Sequence, residues 1–238
     1  MLLLLRSLLF NVAFFGFGAA GAVLGSPLLL GPRRLQRRAM RQLARFLVWI
    51  MEITCGIEVR VTGREHLPQA GAALIAAKHQ SAFDTLVWFA LVPDVAYVMK
   101  QELFRIPFYG RFARRAGMIG VDREGGAKAM RQMMREAQNS AKEGRQIVIF
   151  PEGTRTTAGE RSPWHPGVVA LASAVKLPVI PVATNSGKFW ARHHFIKRPG
   201  VLVISILPPL NVPRDQLLAK LETVIEAEQS KLDYTNPH

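Results

Sequence analysis

Ile147-Val148-Ile149-Phe150 admits few structures. Four consecutive apolar residues, three of them β-branched, leave no polar side to face water, so a strand here must be covered above and below. Doubly covered strands belong to α/β domains, where helices lie on both faces of a largely parallel sheet. The neighbouring sequence agrees. Apolar runs at 72–77, 95–99, 177–183 and 201–207 interleave with helical patterns at 86–92, 127–142, 168–175 and 214–232. Residues 57–63 alternate with the two-residue period of a half-buried strand. Strands alternating with helices predict an α/β domain. Pro178 and Pro181 favour an edge or a bulge for their strand, because proline has no N–H for the ladder.

The N-terminus obeys a different rule. Between Ser7 and Pro32 there is no charged side chain, and about 20 apolar residues suffice to span a bilayer. Gly16, Gly18, Gly21, Gly25 and Pro27 interrupt the run, which suits a re-entrant helical hairpin as well as a span. A cleaved signal peptide competes, since Gly18-Ala19-Ala20 and Gly21-Ala22-Val23 are small enough for a cleavage site. The flanking charge favours a retained anchor: it follows the apolar run instead of preceding it. Arg33, Arg34, Arg37, Arg38, Arg41 and Arg45 come next with no acidic residue among them. Positions 34, 38, 41 and 45 form one helical stripe, with Leu35, Ala39, Leu43, Phe46, Leu47 and Ile50 free to face away. Such a helix beside an apolar anchor is expected to lie on an anionic leaflet. The positive-inside tendency puts it, and all that follows, on the cytoplasmic side of an inner membrane. The expected division is 1–47 as anchor plus basic helix and 48–238 as the folded domain.

A formal net charge of +14 calls for an anionic partner. Nucleic acid is not the expected one, because aromatics are only 8% and no RNA-binding or zinc-finger pattern occurs. Cys55 is the one cysteine, so neither an intrachain disulfide nor a Cys-rich zinc site can form.

Chemistry concentrates where apolar runs end. The run at 72–77 delivers Lys78-His79-Gln80-Ser81-Ala82-Phe83-Asp84-Thr85. Neutral imidazole is the commonest general base near pH 7, and a carboxylate on its second nitrogen fixes the tautomer and stabilises the imidazolium. On one continuous helix of about 3.6 residues per turn, residues five apart point roughly 140° apart. His79 and Asp84 therefore meet only if His79 sits in a turn and Asp84 in the first helical turn. The competing reading is that Ser81-x-x-Asp84 is a capping box holding backbone N–H groups. The run at 147–150 ends in Pro151-Glu152-Gly153-Thr154-Arg155, which gathers a carboxylate, a hydroxyl and a guanidinium. Arginine suits phosphate because its planar donors match two oxygens at once. Lys100 closes the run at 95–99, and Arg123 ends Gly117-Met118-Ile119-Gly120-Val121-Asp122-Arg123. Residues 106–118 mix aromatics with arginines, a pattern open to membrane-facing, substrate-facing and merely amphipathic readings.

These segments together carry a resemblance. His79-x4-Asp84, Gly117 to Arg123, Phe150-Pro151-Glu152-Gly153-Thr154-Arg155 and Val179-Ile180-Pro181-Val182 resemble, in order and spacing, the four motifs of the glycerolipid acyltransferase family. The resemblance covers the chain from about Val48 to the C-terminal helix and extends to a two-helix membrane anchor. It implies a single mixed-sheet α/β domain flanked by helices, with 48–238 as the catalytic part. It implies His79 as base and Asp84 as its orienting partner. Arg123, Glu152, Gly153 and Arg155 would shape the acceptor pocket, with Thr154 and Lys100 as further substrate-binding candidates. Three positions depart from the family pattern: Lys78 stands where asparagine is frequent, Gly120 where a bulky aromatic is frequent, and His165-Pro166 where a basic residue often precedes Gly167. The first two would bear on acyl-chain or acceptor preference.

The implied reaction moves an acyl group from acyl-CoA or acyl carrier protein to the sn-2 hydroxyl of lysophosphatidic acid. The substrate is then the nucleophile, and no cofactor or metal is expected. Rival readings are an acyltransferase for lyso-ornithine lipid or another lysophospholipid, a metal-dependent hydrolase, and a basic peripheral membrane-binding protein without catalysis.

Overall fold

The computed structural model describes residues 1–122 and 125–234. Helix α1 (Leu2–Leu24) and helix α2 (Arg33–Cys55) are joined by a short 3-10 turn at Ser26–Leu29 and pack on each other as a hairpin. α1 is long and apolar enough, by length and composition, to cross a membrane. Helix α2 stops at Gly56, whose φ of +67° is left-handed and whose N–H closes on the Glu52 carbonyl. Then follow β1 (Ile57–Thr62), β2 (Ala73–Ala77), α3 (Phe83–Leu91), β3 (Val95–Lys100), α4 (Tyr109–Ala116), β4 (Ile119–Val121) and α5 (Gly126–Lys142). The chain continues through β5 (Gln146–Ile149), α6 (Gly167–Val175), β6 (Val179–Thr184), α7 (Ser186–Phe189), β7 (Gly200–Ile206) and α8 (Arg214–Tyr234).

Among the described residues seven strands form one sheet, ordered β1-β7-β6-β2-β5-β3-β4. β6 and β7 are antiparallel and the other neighbours parallel, so β1 and β7 run against the remaining five. The sheet is mixed, as expected. Strand alternation distributes its side chains between two cores. Ile75, Ala77, Tyr97 and Val148 join the core built with α2 and α3, whereas Leu74, Ala76, Ile147 and Ile149 join that built with α5, α6 and α8. On α8, Leu217, Leu221 and Ile225 are buried at helical spacing.

Two expectations need correcting. β6 is an interior strand, between β7 and β2, despite Pro178 and Pro181. The Pro181 carbonyl accepts from the Leu207 N–H, so its ring nitrogen faces the same side, one residue beyond the end of β7. The missing N–H falls at the last rung, where it costs the ladder little. The second correction concerns the basic helix. Arg37 turns inward, 2.7 Å from Asp94 and 3.2 Å from Glu143, while Arg34, Arg38 and Arg45 stay exposed. The apolar side is divided too: Leu47 and Ile50 are buried, but Leu35 and Phe46 are exposed, as are Trp49 and Ile53. Leu4, Leu5 and Leu9 of α1 are exposed as well.

The hairpin is fastened to the domain. Phe10 is fully buried, edge-on to Trp190 at 5.0 Å, and Phe14 meets the same ring at 5.1 Å. The Lys197 N–H donates to Ser7 Oγ at 2.9 Å, and Asn11 Nδ2 donates to the Phe195 carbonyl at 3.0 Å. The expected boundary at 47/48 falls inside the unbroken helix α2.

Candidate active site

β2, β5, β3 and β4 run in one direction, so the turns after them gather at one edge of the sheet. Ligands of open α/β sheets bind outside the carboxyl ends of the strands. Here the turns after β2 and β5 interlock. The His79 N–H donates to Glu152 Oε2 at 2.8 Å, and the His79 carbonyl accepts the Thr156 N–H at 2.8 Å and its hydroxyl at 3.2 Å. The turn carrying Glu152 needs Gly153, whose φ of +65° is left-handed and whose N–H donates to the Phe150 carbonyl at 2.9 Å.

His79 and Asp84 meet in the way the spacing demanded, one in the loop and the other in the first turn of α3. His79 Nδ1 lies 3.2 Å from Asp84 Oδ2. The imidazole stacks on Phe150 with ring centres 4.1 Å apart, and Phe150 stacks in turn on Tyr97. Nδ1 being engaged, Nε2 has no hydrogen-bond partner among the described residues. The capping reading also holds in part: Asp84 Oδ2 accepts the Gln80 N–H at 2.7 Å and the Ser81 N–H at 2.8 Å. Ser81 Oγ accepts from the Phe83 N–H, leaving the box half formed. Asp84 therefore orders the loop and orients the ring with one oxygen.

His79 borders a cavity of about 1210 Å³. The strand-end turns give it Lys100, Gly153, Thr154, Arg155 and His165. The rest of its wall is largely apolar, including Leu86, Phe89, Met99 and Met130. Phe14 of α1 and Met40 of α2 belong to this wall, so the cavity draws on both sides of the 47/48 boundary. Phe112 and Tyr109 of the pattern at 106–118 line it as well, while Ile106 and Phe108 are exposed.

Of the expected site residues, the structure brings together His79, Asp84, Lys100, Gly153, Thr154 and Arg155. Arg123 lies outside the described residues. Glu152 is elsewhere: its side chain is fully buried behind the cavity, 2.9 Å from Lys78 Nζ and bonded to His79 and Thr156. Burial pushes its pKa up, opposed by Lys78 and by the donors from His79 and Thr156. Lys78 is likewise buried and away from the cavity wall. Gly120 borders a separate cleft with Gln101 and Phe104, and a side chain there would strike Gln101 Oε1. Neither residue touches the main cavity. Arg192 is a residue the motifs gave no sign of. It lines the cavity and donates to the Arg155 carbonyl at 3.0 Å.

Comparison with known proteins follows the same lines. Residues 58–185 match the family model described as Acyltransferase. Over 197 residues the chain is 30% identical to the 1-acyl-sn-glycerol-3-phosphate acyltransferase of Pseudomonas aeruginosa, an alignment covering 82% of this chain and 76% of that one. The protein of the same name from Saccharomyces cerevisiae is 30% identical over 222 residues, covering 90% of this chain and 72% of its own. The crystal structure of the 1-acyl-sn-glycerophosphate (LPA) acyltransferase PlsC from Thermotoga maritima matches with a TM-score of 0.76 and 22% identity, covering 96% of this chain and 97% of that one. At that identity the likeness is one of fold.

Proposed function

The chain belongs to the acyltransferase family, and on that footing we propose that it acylates lysophosphatidic acid at the sn-2 hydroxyl. The acyl donor is a thioester, acyl-CoA or acyl carrier protein, and the product is phosphatidic acid. The names of its relatives support the acceptor. The observation that carries the reading is the 3.2 Å contact of His79 Nδ1 with Asp84 Oδ2. It leaves Nε2 for chemistry beside a cavity that combines cationic groups with a long apolar wall.

In this reading the acceptor hydroxyl attacks the thioester carbonyl while His79 Nε2 takes its proton. Asp84 stabilises the imidazolium formed at Nδ1. The C–O bond forms, the C–S bond breaks, and the departing thiolate takes up the proton that His79 carries. Buried Cys55 has no part, and no acyl-enzyme is formed. A phosphate monoester carries between about one and two negative charges at pH 7 and presents three acceptor oxygens. Lys100, Thr154 and Arg155 are the groups we assign to it, with Gly153 supplying the left-handed turn that carries the last two. The reading takes no cofactor or metal. The exposed apolar faces of α1 and α2 sit in the inner membrane, with Arg34, Arg38 and Arg45 on its anionic cytoplasmic surface.

The test is a panel. Purified protein in mixed micelles is given lysophosphatidate, zwitterionic lysophospholipids or lyso-ornithine lipid, each with acyl-CoA and with acyl carrier protein thioesters. Phosphatidate should form fastest. Preference for lyso-ornithine lipid would overturn the acceptor assignment, and failure to acylate any lysolipid would overturn the reaction.

A further inference from the structure

Lys78 is out of place for a long cationic side chain. It is 1% exposed, adjoins the proposed base, and does not reach the cavity. Its Nζ lies between two carboxylates, Glu152 at 2.9 Å and Glu226 of α8. Glu152 is 0% exposed and Glu226 13%. Removing an ammonium from water is costly unless opposite charge and hydrogen bonds replace the lost hydration. Burial on its own pulls the Lys78 pKa down; the two carboxylates more than reverse this.

What the cluster holds is the backbone of His79. Glu152 Oε2 takes the His79 N–H, and Oε1 is shared by Lys78 and the Thr156 hydroxyl. Thr156 returns its N–H to the His79 carbonyl. Lys78 is itself pinned to β6 by its N–H on the Val182 carbonyl at 2.9 Å. These contacts fix both peptide groups flanking the histidine. Glu226 joins them from 148 residues away in sequence.

We propose that Lys78 is a positioning residue for His79, and that Glu226 makes the C-terminal helix a working part of the active site by holding the Lys78 ammonium against Glu152. The proposal rests on His79 being the base of acyl transfer. Lys78 keeps Glu152 ionised in a place where burial opposes ionisation. Without the ammonium, Glu152 is more readily protonated, the charge-assisted bond to the His79 N–H weakens, and the ring loses its fixed approach to the acceptor. The substrate walls stay as they were. The cost therefore falls on turnover and spares binding.

Protonation gives a second signature. Among the described residues, the charged groups facing Lys78 are Glu152 and Glu226, and the one facing Glu152 is Lys78. β6 contributes only backbone here, and from α3 Asp84 is committed to His79, Gln80 and Ser81. In a chain lacking the ammonium, raising the pH re-ionises Glu152, so the ratio of variant to wild-type kcat should climb with pH.

The experiment measures steady-state kinetics with lysophosphatidate and acyl thioester for Lys78→Met, Glu226→Gln and the double variant, with circular dichroism to confirm folding. Lys78→Met should lower kcat roughly a hundredfold, the scale of a misplaced catalytic group, with both KM values unchanged. Glu226→Gln should lower kcat several-fold in the wild type. In the Lys78→Met chain it should raise kcat, because there it removes one of two facing carboxylates that have lost their shared cation. That change of sign is what a merely structural role would not give. Losses that multiply independently, a loss carried by KM, or wild-type kcat in Lys78→Met would overturn the proposal. If Lys78→Met does not fold, the partly exposed Glu226→Gln decides: lowered kcat at unchanged KM supports the coupling and wild-type kcat overturns it. An inactive wild type would instead count against acyl transfer itself.

Discussion

Asp84 accepts from three donors with one oxygen, and this makes its replacement more than a change of charge. Two of the donors are backbone N–H groups that close the loop after β2, and the third is the imidazole nitrogen. An asparagine in its place would offer a neutral oxygen to some of them and an unwanted donor to the rest. Asp84→Asn should reduce kcat about 10,000-fold, on the scale of the same change in a Ser-His-Asp triad. It should also cost about 1–3 kcal/mol of stability through the under-satisfied N–H groups. Initial rates and thermal melts measure the two losses separately. Arg155 sits on the cavity and its guanidinium has no ion pair among the described residues. Arg155→Ala should raise the KM for lysophosphatidate and cost about 2–3 kcal/mol in kcat/KM. Arg155→Lys should recover part of it, since an ammonium lacks the two-pronged geometry. The donor KM should hardly move; an equal effect on both substrates would place Arg155 outside the phosphate site.

Elements differ in how far they can be read from the sequence. The strand at 147–150 and helix α8 were legible because burial on both faces, or on one stripe, imposes a local period. The meeting of His79 with Asp84 was legible as well, since helix geometry left one way for it to happen. Pro181 misled because proline's cost depends on where the neighbouring strand stops, a property of β7 and not of β6. Arg37 lies outside the stripe at 34, 38, 41 and 45, but its inward course could not be read because its partners, Asp94 and Glu143, come from distant segments. Glu226 and Arg192 were invisible for the same reason: a long-range ion pair or loop contact leaves no local pattern. The structure thus turns Arg37 inward and leaves Arg34, Arg38 and Arg45 exposed. Changing Arg34, Arg38, Arg41 and Arg45 to Gln should weaken binding to anionic vesicles by about 1 kcal/mol per residue at low salt, and less as salt rises. Arg37→Gln should leave vesicle binding nearly intact and lower the melting temperature instead. Equal effects of all five on vesicle binding would contradict the division.

At the scale of the whole molecule, β2, β3, β4 and β5 aim their carboxyl ends at one cavity, and the N-terminal hairpin supplies part of its wall. An amphiphilic acceptor needs both. Its phosphate needs cations at strand-end turns, and its chain needs an apolar wall. α1 is tied to the domain through Phe10, Ser7 and Asn11, so the apolar hairpin and the candidate site form one body among the described residues. The proposed reaction depends on His79 as the base. The most direct measurement is the initial rate of phosphatidate formation from lysophosphatidate and acyl thioester by His79→Ala protein, with folding and vesicle binding matched to the wild type. With His79 as the base, transfer should fall to the uncatalysed background. A folded His79→Ala protein that keeps more than a few per cent of the wild-type rate would contradict it.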